Sequence, residues 1–188
     1  MSVCSSRAFC LYFNIIGFLL SGYAFYVEMK VKEDPTYKPL CDLDENISCT
    51  KPFNSTYGKG FGVVDKVLPA DHWLNQPNPI YGFGLYSLTT LLSLFRYHFL
   101  SKIQFYVVLL ANFGSIYLGY ILYFVLENLC VVCVAIYATN FLLLIASFAK
   151  MRSTRLGTRR MDIREHGQQD RNLRLPTSSN RRDFKKNI

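Results

Sequence analysis

AFCLYFNIIGFLLSGYAFYV, residues 8–27, is a run of 20 amino acids whose only polar side-chain groups are Asn14, Ser21 and the tyrosine hydroxyls. A helix of that length is about 30 Å long, the thickness of a bilayer's hydrocarbon core, so the run predicts a transmembrane helix. A cleaved leader competes with that reading, because Arg7 precedes the run. The run is longer than the roughly 7–15 residues of a leader's apolar core, and no A-x-A-like cleavage site closes it. We therefore read it as a retained anchor.

Working outward, the hydrophobic residues that make up 51% of this 188-residue chain are concentrated in three more runs, at 80–95, 103–126 and 129–148. The second run is short. It reaches a full crossing only if Pro79 occupies the first helical turn, where the missing N–H of proline is tolerated. The third carries Gly114, Ser115 and Gly119, small residues that let helices approach closely. The sequence thus predicts an all-α membrane protein: a four-transmembrane-helix bundle in one catalytic domain, residues 1–149, with a long connecting loop over 30–79.

A formal charge of +8 could point to nucleic acid, but its location favours another use and no nucleic-acid partner is expected. Residues 150–188 contain 12 Lys or Arg and 4 Asp or Glu, while the preceding 149 residues balance at nine of each. With few aromatic or β-branched residues, this tail is expected to form a disordered segment near anionic lipid headgroups. The positive-inside rule puts the tail in the cytosol, with the short turn containing Arg96, His98 and Lys102 on the same side. An even number of spans brings the N-terminus there too and turns the 30–79 loop and Glu127 toward the lumen. The terminal Lys185-Lys186-Asn187-Ile188 looks like a dilysine retrieval signal and favours the endoplasmic reticulum membrane.

That topology sorts the six cysteines. Cys4 and Cys10 fall on the reducing side as small apolar residues or lipidation candidates. Cys41 and Cys49 in the loop and Cys130 and Cys133 at the mouth of the last span share the oxidising side. Permanent disulfides are the plain reading of all four. The C-x-x-C spacing argues against it, since residues i and i+3 of a helix share a face but do not offer relaxed disulfide geometry. A helix N-terminus also favours thiolate, the reactive form. Zinc is disfavoured by the seven-residue gap between Cys41 and Cys49 and the lack of nearby histidines other than His72. No metal is expected. Cys133 lies about 4.5 Å deeper along the helix than Cys130, so the pair can connect a lipid-soluble oxidant with soluble thiols.

The ordered set Cys41-Asp42-Leu43, Ser48-Cys49, Phe53-Asn54-Ser55, Gly58-Lys59-Gly60-Phe61-Gly62, Leu74-Asn75-Gln76-Pro77-Asn78 and Cys130-Val131-Val132-Cys133 followed by Tyr137 resembles the vitamin K epoxide reductase family. The resemblance runs from Gly17 to about Phe148. It implies reduction of vitamin K 2,3-epoxide to the quinone and of the quinone to the hydroquinone, in support of vitamin K-dependent γ-carboxylation. It also implies roles: Cys133 attacks the substrate, Cys130 resolves the adduct, Cys49 relays electrons to Cys130, and Cys41 exchanges with Cys49 and a luminal thioredoxin-like donor. Asn78 and Tyr137 become hydrogen-bond donors to the substrate oxygens, where developing charge in an apolar site gains most from fixed donors. Phe53, Phe61 and Phe83 could cover the naphthoquinone ring, and Ser55 takes a supporting part. No permanently bound cofactor is implied; the substrate and a dithiol reductant suffice.

Each of these residues has a plainer reading. Asn78 between two prolines reads as a turn or cap residue, and the phenylalanines as packing. Tyr137 reads as an ordinary membrane aromatic, although its place one turn after Cys133 sets both on one face. Gly58, Gly60 and Gly62 lack the G-K-[ST] of a phosphate loop and are expected to fold the loop back as a cap. The family has a short interfacial helix matching Val63–Trp73. The sequons at Asn46 and Asn54 fall in this loop, and a glycan at Asn54 would crowd the site, so Asn54 is expected to stay unmodified. Departures are Tyr57 in place of the usual Trp and a tail with no counterpart. The same cysteines could instead serve quinone-linked oxidation of secretory-protein thiols, or staple a non-enzymatic scaffold, which would have no need of a thiol as deep as Cys133.

Overall fold

The computed structural model describes residues 3–34, 36–42, 47–64 and 75–174. The Val63–Trp73 segment beyond Val64, the Asn46 sequon and the terminal dilysine lie outside the described residues, as does the side chain of Asn54. Among the described residues, five α-helices follow in order: α1 (Val3–Glu33), α2 (Thr50–Asn54), α3 (Asn78–Leu94), α4 (His98–Tyr120) and α5 (Val131–Arg174). A π-helical turn, Ile121–Val125, continues α4.

Three of these helices are long and apolar enough to cross a membrane: Cys4–Glu33, His98–Val125 and Val131–Arg171. The expected run at 80–95 becomes α3, which has 17 residues and starts with Pro79 in its first turn. α5 packs against both α1 and α4, while α3 lies along α1 and touches α4. The bundle turns many apolar side chains outward and covers polar ones among its apolar core. Leu110 is 73% exposed, whereas Asn14 and Gln104 are fully covered. Such a surface suits lipid, and several covered polar groups pair across helices, where no water can satisfy them. The Tyr86 hydroxyl donates to Asn140 Oδ1 (2.8 Å), Thr89 to Asn14 (2.7 Å), and Asn112 Nδ2 to the Asn140 carbonyl (3.1 Å).

Tyr86 determines how closely α1 and α3 approach. Its ring lies where a Cβ on Gly17 would stand, and its hydroxyl is committed to Asn140, so it cannot swing aside freely. Gly17→Val is expected to destabilise the bundle by about 1–3 kcal/mol through overpacking. A lowered thermal midpoint in detergent would report this, with Gly114→Ala, which meets nothing within 4 Å, as the unchanged control.

The boundary expected at residue 149 is not where α5 ends. The helix runs to Arg174 through a stretch rich in Arg, a good helix former, and the first proline after it is Pro176. Charge and a shortage of core-forming residues set the tail apart in the sequence, but neither prevents a helix. Lys150, assigned to the tail, is fully buried, its Nζ donating to the Leu92 carbonyl (2.7 Å) and to Gln104 Oε1 (2.8 Å). Arg7 reaches the same place, donating to the carbonyls of Ser93 (3.1 Å) and Leu94 (2.9 Å). Two cations thus satisfy the open carbonyl end of α3. From Thr158 to Arg171 the helix is exposed.

Candidate active site

Val131 opens α5, so Cys130 stands at its N-cap. Its carbonyl accepts the Val134 N–H (3.0 Å) and its sulfur accepts the Cys133 N–H (3.3 Å). The sulfur therefore does what a serine oxygen does at an N-cap, and it sits where unpaired amides and the helix dipole favour thiolate. Cys130 and Cys133 are free thiols, the first fully buried.

Behind Cys130 lies the second pair. Cys41 and Cys49 form a disulfide with Cα atoms 5.9 Å apart, and Cys49 Sγ is 3.6 Å from Cys130 Sγ. Both bonded cysteines and Cys130 belong to one buried cluster with Val27, Phe53 and Leu122. Cys41, Asp42 and Cys49 place their ligand-type atoms within 4.8 Å of one another, but two of those sulfurs are bonded to each other and are not thiolate ligands. Asp42 has another occupation. Burial alone would raise its carboxyl, yet hydrogen bonds from the Thr50 hydroxyl and the Cys49 and Thr50 amides hold it below the usual carboxylate range.

Ahead of the cysteines the loop folds over the bundle. Lys59 bridges to Pro77 and the Gly60 N–H donates to the Gln76 carbonyl (2.9 Å), which returns the chain to the start of α3. Gly60, Phe61 and Gly62 have φ of 52°, 58° and 65°, three successive left-handed residues. Glycine adopts that conformation without strain, and at Phe61 the strain is offset by its N–H donating to Asn78 Oδ1 (3.0 Å). The glycine run is a corner, not a phosphate cradle.

Under this corner is a cavity of about 710 Å³, within the range of small-molecule sites. The loop contributes Phe53, Ser55, Tyr57 and Phe61, α1 contributes Ser21 and Ala24, and α3 contributes Asn78, Tyr81 and Gly82. From α4 come Gly114 and Ser115, and from α5 Cys133, Ile136, Tyr137 and Asn140. The cavity brings together Cys133, Asn78, Tyr137, Phe53 and Ser55. Cys130 stands one layer back, between Cys133 and the loop disulfide.

Phe83 is placed elsewhere. It packs edge-to-face on Phe18 (5.0 Å) and Phe25 (6.2 Å) of α1 and is not among the residues lining the cavity. Ser55 donates to the Pro52 carbonyl (2.7 Å), bracing the loop. Asn78 Nδ2 donates to the Tyr57 carbonyl (2.7 Å), so this amide ties α3 to the loop at both of its ends. An amide nitrogen carries two N–H groups, and a second donor remains for a ligand. The Tyr137 ring lies on Gly119 of α4, where a Cβ would stand 3.7 Å from it. Gly114 meets nothing within 4 Å; its smallness opens the cavity where the sequence reading expected a close helix contact.

Two cavity residues were passed over in sequence. Ser21 is 1% exposed with no partner for its hydroxyl among the described residues, and Asn140 ties the cavity floor to Ser115 (2.9 Å). The signal was there: a polar side chain within an apolar span is a candidate site residue by default.

Residues 8–148 match the vitamin K epoxide reductase family. The chain is 41% identical over 137 residues to "Vitamin K epoxide reductase complex subunit 1" of Mus musculus, covering 73% of this chain and 85% of that protein. It is 40% identical over the same length to the protein of that name from Rattus norvegicus. A match over three quarters of the sequence, with the four paired cysteines gathered beside one cavity, settles the lineage: the chain belongs to the vitamin K epoxide reductase family.

Proposed function

We propose that this chain reduces vitamin K 2,3-epoxide to the quinone and the quinone to the hydroquinone in the endoplasmic reticulum membrane. In this reading α3 is the fourth span, both termini are cytosolic, and the cavity and loop face the lumen. The observation that carries it is the line of sulfurs: cavity, Cys133, Cys130, then Cys49 at 3.6 Å and its partner Cys41. Cys133 thiolate attacks the substrate ring. Cys130 then attacks Cys133, forming the inner disulfide and releasing reduced product, with water as the second product from the epoxide. Asn78 and Tyr137 donate to the substrate oxygens as charge develops, and Phe53 covers the ring.

Re-reduction runs through the outer pair. Cys49 thiolate attacks Cys130, releasing Cys133; Cys41 then attacks Cys49, releasing Cys130 and leaving Cys41–Cys49 oxidised. The outer disulfide with free inner thiols is the state after this inward transfer, ready for substrate. A thioredoxin-like luminal oxidoreductase is the electron donor in this reading, and the product supports γ-carboxylation. Run for its thiol-oxidising benefit, the same chain of sulfurs would instead use quinone to make disulfides in secretory proteins.

Purified protein in detergent or lipid, given a dithiol, is expected to turn over both the epoxide and the quinone. Failure on both substrates would sink the proposal.

A further inference from the structure

The Ser48–Cys49 peptide unit is held at both ends by different parts of the fold. Its N–H donates to Asp42 Oδ1 (2.6 Å), and its carbonyl accepts from Asn128 Nδ2 (2.5 Å). Asp42 also takes the Thr50 hydroxyl (2.6 Å), but it lies inside the loop closed by Cys41 and Cys49 and so shapes that loop from within. Asn128 comes from outside, on the connection between α4 and α5. It is 4% exposed, its own N–H donates to the Leu122 carbonyl (3.2 Å), and the residue before it, Glu127, has a φ of 46°. The connection takes a left-handed kink there, and Asn128 is two residues ahead of Cys130.

We infer that Asn128 is a positioning residue for electron transfer: by gripping the Ser48 carbonyl it sets the register between the loop cysteine pair and the pair at the head of α5. The inference rests on the relay proposed above. Thiol–disulfide exchange requires the attacking sulfur in line with the bond it breaks, so it depends on how often two pairs on separate segments meet in one geometry. Asn128 shortens that search, because it and Cys130 are on one short segment and Cys49 is attached to the peptide it holds. The step served is attack of Cys49 thiolate on Cys130 of the inner disulfide, which forms the Cys49–Cys130 bond and releases Cys133 thiolate. Attack of Cys41 on Cys49 completes the transfer of two electrons. The inner pair's chemistry on substrate does not pass through Asn128.

The test uses full-length enzyme in detergent, as Asn128→Leu and Asn128→Gln. Turnover is driven in one arm by dithiothreitol, which reaches the inner pair directly, and in the other by reduced thioredoxin acting through Cys41. Asn128→Leu is expected to stay within about twofold in the first arm and to lose roughly tenfold in the second, as one charge-free hydrogen bond fixing the register would give. Asn128→Gln, which keeps the donor, should recover part of that loss. In a Cys41→Ser background, Asn128→Leu should also lower the yield of Cys49–Cys130 mixed disulfide on a non-reducing gel. Equal losses in both arms would make Asn128 merely structural and overturn the inference, as would no loss in either. If Cys41→Ser itself leaves thioredoxin-driven turnover intact, the relay is wrong and this inference falls with it.

Discussion

Cys133→Ser is expected to abolish turnover of both vitamin K epoxide and quinone, by roughly 10³-fold or more, whatever reductant is supplied. Cys133 is the one cysteine bordering the cavity, and serine at that place has neither the acidity nor the nucleophilicity of a thiol. Cys41→Ser should behave differently. With a small membrane-permeant dithiol the inner pair is reduced directly, and turnover should remain near that of the parent enzyme. The contrast orders the relay. Equal loss in both variants would mean that Cys41 is needed for structure or chemistry at the cavity, and the direction of electron flow drawn from the sulfur line would have to be abandoned. Cys130→Ser is expected to differ again: the attack by Cys133 survives but the adduct is not resolved, so a covalent enzyme–substrate species should accumulate in a mass spectrum.

The bundle was legible because lipid imposes a coarse rule: runs of about 20 apolar residues announce helices whatever their neighbours do. From spacing alone the candidate site was legible where its residues share a helix, as Cys130, Cys133 and Tyr137 do; Asn78, Phe53 and Ser55 were reached through the family resemblance. Phe83 shows the limit. Its ring packs on Phe18 and Phe25 of α1 instead of lining the cavity, a tertiary choice that no local pattern announces. The helical reach of α5 past residue 149 escaped the reading for another reason: a shortage of aromatic and β-branched residues reads as disorder, while the arginines there are good helix formers and Lys150 is held inside the bundle. The grip of Asn128 on Ser48 spans 80 residues of sequence and joins a side chain to a backbone carbonyl, a contact that leaves no pattern in the residue types.

Tyr137→Phe separates the two readings of the aromatic beside Cys133. If the ring only packs, phenylalanine keeps its seat on Gly119 and turnover should barely change. If the hydroxyl donates to a substrate oxygen, its loss removes a donor aimed at charge that develops in the transition state, and kcat should fall about 10²–10³-fold with a smaller change in KM. We expect the second result for both epoxide and quinone, since each gathers negative charge on oxygen as the thiolate attacks. Asn78 is a less clean probe. Its amide also holds the Tyr57 carbonyl and the Phe61 N–H, so Asn78→Ala should release the loop corner above the cavity and raise KM along with lowering kcat. Phe83→Leu supplies the contrast, because a side chain packed on Phe18 and Phe25 away from the cavity should lower thermal stability and leave kcat unchanged. A Tyr137→Phe enzyme that turns over like the parent would return that residue to packing and leave charge stabilisation to other donors on the cavity wall, among them Asn78 and Ser21.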